Sequence, residues 1–127
     1  MVSRRVAFEA IHAIRELFPV IKPHLMISEI RTCTADDFWM SSAYGTDTVC
    51  LHFSWKNDLA AVMGVLPSIE EALAPFQPRP HWGKLFVATA SDLEPRYPRH
   101  GDFRRLADRF DPRGAFRNDF LDRHVFG

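Results

Sequence analysis

The chain has 127 residues, 46% of them hydrophobic and 25% charged, and its sixteen Lys and Arg balance sixteen Asp and Glu. That length builds one domain and not two, and the composition is globular. Zero net charge argues against nucleic acid as the main partner, because phosphate binding needs a cationic footprint.

The N-terminal stretch MVSRRVAFEAIHAIREL has charges throughout its apolar run, so it is not a secretory leader. It reads as a helix that Ser3 can cap. Ala7, Ile11, Ile14, Phe18 and Ile21 fall near one stripe, with Arg5, Glu9, His12 and Glu16 opposite. Pro19 is expected to end or kink it. HLMISEIRT, from His24, predicts a strand with Ile27, Glu29 and Arg31 on one face and Met26, Ser28 and Ile30 on the other. After a connection rich in Asp, Ser and Gly, TVCLHFSW predicts a second strand. Val49, Leu51, Phe53 and Trp55 line one face, and Cys50, His52 and Ser54 the other.

Asn57 or Asp58 starts a helix through Leu66, Pro67 interrupts it, and the capping box Ser68-Ile-Glu-Glu71 restarts it toward Phe76. PRPHWGK is extended or looped, since each residue before a proline is pushed out of the helical region. LFVATA fits a short strand or a short helix, and EPRYPRHG a loop. Asp102 is expected to cap the last clear helix, with Phe103, Leu106, Ala107 and Phe110 on one side. Asp111 to Gly114 predicts a turn. The ten basic and seven acidic residues from Arg79 onward read as solvated helix surface. No apolar run approaches the length that spans a bilayer, and a cytoplasmic location is expected.

These elements give an α+β fold, a small antiparallel sheet flanked by helices in a single domain, 1–127. Several apolar faces lack a partner within the chain, and its exposed Phe and Trp surface predicts self-association. Cys33 and Cys50 lack metal-ligand spacing and are expected as small, buried, reduced thiols.

Each strand places a polar pair two residues apart on one face: Glu29 with Arg31, and His52 with Ser54. Neighbouring strands would bring the four together. This fits first the wet face of an amphipathic sheet; the sharper reading is a polyol or sugar site, which needs several fixed donors and acceptors. PRPHWGK raises a sharper question. Lysine is scarce, with only Lys22, Lys56 and Lys84 against thirteen arginines, yet Lys84 is fenced by Pro78, Pro80 and Gly83. An exposed lysine and a loop histidine packed beside Trp82 are the plain alternatives for Lys84 and His81. A fixed loop, though, more often holds its side chains for a purpose. No Gly-rich phosphate loop, GxSxG or zinc-like cluster occurs, and no metal site is expected.

SEIRT (28–32), LHFSW (51–55), RPHWGK (79–84) and DPRGAFRNDFL (111–121) together resemble the C-terminal part of FAD-dependent alditol or xylitol oxidases. These are relatives of the aldonolactone oxidases in the vanillyl-alcohol-oxidase superfamily. The resemblance covers nearly the whole chain and implies a substrate-side portion whose FAD-binding half is absent. HWGK is shared across the alditol and lactone types, whereas LHFSW beside SEIRT looks more like the alditol type; Ser54 stands where that type often has Thr.

The resemblance implies that Arg31 and Lys84 hold the hydroxyl on the carbon being oxidised, facing the flavin, with Glu29 beside them. His52 and Ser54 reach further hydroxyls, and His81 and Arg31 touch the cofactor. It further implies hydride transfer to FAD, reoxidation by dioxygen to hydrogen peroxide, and a chain inactive without its FAD-binding half. A lactone-oxidase fragment, with membrane association by analogy, and a non-catalytic small-ligand or protein-binding domain are the alternatives.

Overall fold

Alternation of polar and apolar side chains builds the sheet. In the computed structural model, which describes all 127 residues, β2 (Leu25–Cys33) and β3 (Thr48–Trp55) pair antiparallel. Glu29 stands opposite His52, Arg31 opposite Cys50, Ile27 opposite Ser54 and Ile30 opposite Leu51, with an irregularity between Leu25 and Ile27. Directly opposed residues share a face, so the two polar pairs lie on one side of the sheet and Leu51 and Phe53 on the other. The third strand, β1 (Val2–Ser3), pairs with Val49 and Thr48, giving the order β1-β3-β2.

β1 replaces the expected helix start. Val2 is buried against Val49, a gain that a helical Val2 would forgo. The Ser3 hydroxyl accepts the Arg5 N–H at 3.4 Å and caps only a 3-10 turn, Arg4–Val6, ahead of α1 (Ala7–Glu16). The expected break comes just before Pro19, where α1 ends at Glu16 and a second short helix follows. Pro19 lies in the first turn of that helix, α2 (Phe18–Ile21), where its missing N–H has no partner to lose. Ile21 is buried there and Phe18 is exposed, so the expected stripe loses Phe18.

Asp58 caps α3 (Leu59–Leu73) by accepting the Ala61 N–H at 3.0 Å. The helix runs through Pro67 without a restart at Ser68. Val62, Val65, Leu66, Ile69 and Leu73 are all buried, and that apolar face outweighs one lost backbone bond. With the 3-10 turn Ala74–Phe76 it forms an 18-residue stretch of mean hydropathy 1.4, long and apolar enough by composition to cross a bilayer, contrary to the expectation of no such run. Its apolar character has a use within the fold: Val65, Ile69 and Leu73 join Val2, Ala10, Ile21 and Val49 in the main core.

Beyond Gln77 the chain joins no strand ladder until Thr89 and turns at Trp82–Lys84, so LFVATA is neither strand nor helix up to that point. Thr89 and Asp92 form a capping box for α4 (Ala90–Leu93), and a 3-10 turn at Glu94–Arg96 replaces part of the expected loop. α5 (His100–Phe110) starts two residues before Asp102, which lies inside its first turn bonded to Arg99 and Arg105. The Asp111–Gly114 turn forms as expected, with Gly114 at φ +66° and the Asp111 carboxylate accepting the Ala115 and Phe116 N–H groups. Asn118 caps α6 (Asp119–Leu121), and a π-helical turn, Asp122–Phe126, buries His124 and Val125. The His124 Nδ1–H donates to the Ala88 carbonyl at 2.7 Å. A second core gathers Phe86, Ala88, Leu93 and Tyr97 under Trp82. Cys33 and Cys50 are free but half-buried, more accessible than expected. Phe8, Phe38, Phe110 and Phe116 are exposed, whereas all three tryptophans are half-buried.

His100 is buried at 1% exposure, and neither ring nitrogen has a well-formed hydrogen bond. Burial lowers its pKa, with Arg104 adding to the effect and Glu94 opposing it. The folded state therefore prefers the neutral ring. Stability should be full above the ordinary imidazole pKa of about 6.5 and fall as pH drops below it. Melting temperature measured from pH 8 to pH 5 should show this decline, and the slope should flatten in His100→Phe. Equal slopes in both proteins would contradict it.

Candidate substrate site

β2 and β3 position the polar cluster. Glu29 and His52 are cross-strand neighbours, with Glu29 Oε2 3.1 Å from His52 Nδ1. Arg31, two residues along the same face, donates through Nη2 to that oxygen at 2.8 Å. Two donors on Oε2 leave Oε1 free to accept. The Arg31 hydrogen bond, reinforced by His52, holds the Glu29 carboxyl below its usual pKa, and Glu29 in turn raises that of Arg31. Both groups therefore stay ionised across neutral pH. The cluster is open, with the Arg31 side chain 64% exposed and that of His52 25%.

A cavity of about 840 Å³ lies beside β3. His52 and Ser54 line one wall, and the segment Pro78–Phe86, including His81 and Lys84, lines the other. Glu29 and Arg31 stand on the neighbouring strand outside this lining and reach it only through His52. The structure thus joins His52, Ser54, His81 and Lys84 around one space, and Glu29, Arg31 and His52 in one bonded chain.

The loop bearing Lys84 is anchored at nearly every residue. The Pro78 carbonyl accepts Arg96 Nη1 at 2.9 Å, and the Pro80 carbonyl accepts the Ser42 hydroxyl at 2.7 Å. Arg79 donates through Nε to the Arg96 carbonyl at 2.7 Å and through Nη1 to the Tyr44 carbonyl at 2.9 Å. Trp82 Nε1 donates to the Met40 carbonyl at 2.7 Å while its ring packs on Tyr97 at 5.3 Å between centroids. Burial pushes the Tyr97 hydroxyl pKa up and the Arg79 pKa down. Arg79 and Arg96 are therefore structural anchors rather than solvated helix charges. Their role was hidden because nothing local pairs them: their acceptors are backbone carbonyls distant in sequence.

The Gly83 N–H donates to His81 Nδ1 at 3.0 Å. An acceptor Nδ1 puts the neutral ring's proton on Nε2. A Cβ on Gly83 would meet only the His81 ring, at 3.4 Å, so packing within the chain does not require glycine here. The Lys84 N–H closes a turn onto the His81 carbonyl at 2.9 Å, while its ammonium makes no ion pair or hydrogen bond with any other group of the chain. It is an exposed, unpaired cation on an anchored loop beside a cavity.

The sequence profile of the D-arabinono-1,4-lactone oxidase family matches residues 4–124. The chain belongs to that family. Among its relatives, alditol oxidase of a Streptomyces species is 45% identical over 121 residues, covering 95% of this chain and 29% of that protein. L-gulono-1,4-lactone dehydrogenase of Mycobacterium tuberculosis is 34% identical over 115 residues, 89% of this chain and 25% of that protein. L-gulonolactone oxidase of Scyliorhinus torazame is 26% identical over 96% of this chain and 28% of its own length. The chain therefore spans between a quarter and a third of the length of these family members.

Proposed function

We propose that residues 1–127 are the substrate-side part of a flavin-dependent oxidase that converts an alditol, such as xylitol or sorbitol, to an aldose. The supporting observation is the shared cavity of His52, Ser54 and Lys84, with the Glu29–Arg31 pair bonded to His52. An alditol is a row of hydroxyls, each a donor and an acceptor. Lys84 offers donors only and Ser54 offers both, while Glu29 Oε1, outside the lining and joined to it through His52, offers an acceptor to a substrate that extends past β3. The 45% identity to an alditol oxidase favours this substrate over a lactone.

Lys84 holds the hydroxyl that is oxidised. Its ammonium stabilises negative charge on that oxygen as the proton leaves. Arginine would supply the charge spread over a planar fork rather than as a compact point charge. The carbinol gives up two electrons and two protons; FAD, bound mainly by the rest of the full-length protein, supplies the acceptor, and dioxygen takes the electrons on to hydrogen peroxide. The residues here fit only the edge of such a group. His81 presents Nε2–H, Gly83 places no side chain over the loop, and Arg31 stands exposed. The purified 127-residue chain is therefore expected to be colourless and inactive on xylitol. Flavin absorbance co-eluting with it after incubation with FAD would contradict this.

Ser54 tests the substrate assignment. In a full-length oxidase carrying this segment, Ser54→Ala should raise KM for xylitol by roughly three- to tenfold, the scale of one hydrogen bond, and leave kcat within about twofold. An unchanged KM would remove Ser54 from the site.

A further inference from the structure

We propose that the open edge of β3 receives an extended strand that continues β1 beyond Met1, supplied by the part of the full-length oxidase outside these 127 residues. This rests on the reading of the chain as a portion of a longer oxidase.

β1 covers only Thr48 and Val49 of an eight-residue strand. The Arg4 N–H donates to the Asp47 carbonyl at 2.9 Å, so residue 47 turns its peptide groups toward β1. Strand alternation carries that direction to Leu51 and Phe53. The Lys56 N–H, donating to His24 on the other side at 2.8 Å, fits the same alternation. The Leu51 and Phe53 peptide groups thus project past the end of β1, and no hydrogen bond from any other segment reaches them.

The opposite wall already holds one residue of such a strand. The Met1 ammonium donates to the Arg79 carbonyl at 2.8 Å, and the Arg79 N–H donates back to the Met1 carbonyl at 2.8 Å. Met1 is bridged to that wall as a mid-strand residue would be.

From this point the cavity runs on between Leu51–Trp55 and Pro78–Leu85. Two walls make a slot rather than a free edge. The sheet of a second copy could reach Leu51 only by displacing the anchored Pro78–Leu85 segment, whereas one extended chain can enter. Five residues span about 17 Å. Those opposite Leu51, Phe53 and Trp55 face Ile69 and Leu73 and must be apolar. Those between them share the face of His52 and are small or polar. The strand occupies the part of the cavity that faces Ile69 and Leu73 beneath α3 and leaves the part on the His52 and Ser54 face for the substrate.

The test extends this chain by Val-Thr-Val-Thr-Val directly before Met1, placing valines opposite Trp55, Phe53 and Leu51. A control carries Val-Thr-Pro-Thr-Pro, whose proline rings stand where N–H groups would face β3 and so block pairing. Amide hydrogen exchange is read at Leu51 and Phe53, with the His52 amide, bonded to β2, reporting that the sheet is intact. Exchange at Leu51 and Phe53 should be fast in the 127-residue chain, at least tenfold slower in the Val-Thr extension and fast again in the control. Slow exchange in the unextended chain, concentration-dependent if a second copy is the occupant, would overturn the proposal. So would fast exchange in the Val-Thr extension with His52 still protected. Neither flavin nor polyol enters the readout, so this result and the oxidase reading can fail separately.

Discussion

Replacing Lys84 with Met in a full-length oxidase carrying this segment is expected to lower kcat by roughly 10²–10⁴, the scale of a positioned acid–base group or oxyanion donor. Methionine keeps an unbranched stem and removes the charge. The loop should hold, because its anchors are the Pro78 and Pro80 carbonyls, Arg79 and Trp82, none of which touches the lysine head group. In the proposed role, the charge acts on an oxygen that becomes more negative as reaction proceeds, so its contribution is larger in the transition state than in the ground state. KM for the polyol should therefore change by less than about threefold. A rise in KM with kcat intact would make Lys84 a binding residue and remove the mechanism proposed for it.

Leu93→Ala should be the most damaging single truncation, destabilising the protein by about 2–5 kcal/mol. Leu93 has 0% exposure and packs with Phe86, Ala88 and Tyr97. That cluster is the floor under Trp82, and Trp82 fixes the loop that carries Lys84. Removing three buried carbons leaves a void that a rigid ring such as Tyr97 fills poorly. The melting temperature should fall by roughly ten degrees, given how steeply it follows stability in a domain of this size. Loop order at His81–Lys84 should loosen before α1, which belongs to the other core. A loss below about 1 kcal/mol would show that the second core does not support the site.

The sheet was legible because its signal is local. A period of two fixes which side chains share a face, and the observed register brings Glu29 to His52 as that pattern requires. Asp58 as a cap and the Asp111 turn were legible for the same reason. β1 was not, since two residues carry no periodicity and their partners, Val49 for Val2 and Thr48 for Ser3, are distant in sequence. The break at Pro67 was a correct local inference overruled by burial of Ile69 and Leu73. At the site, His52, Ser54 and Lys84 were legible as residue types, but their common cavity depends on Arg79, Arg96, Ser42 and Tyr97. Arg79 and Arg96 looked like surface charge because their acceptors are carbonyls, which every residue has and no sequence marks.

Grafting residues 1–127 in place of the matching segment of the Streptomyces alditol oxidase, then measuring peroxide released from xylitol and from a 1,4-lactone, tests the central claim most directly. The account predicts a flavin-loaded chimera that releases one peroxide per xylitol consumed, prefers xylitol to the lactone, and loses this activity on Lys84→Met. A folded, flavin-loaded chimera that ignores xylitol, or oxidises only the lactone, would contradict it.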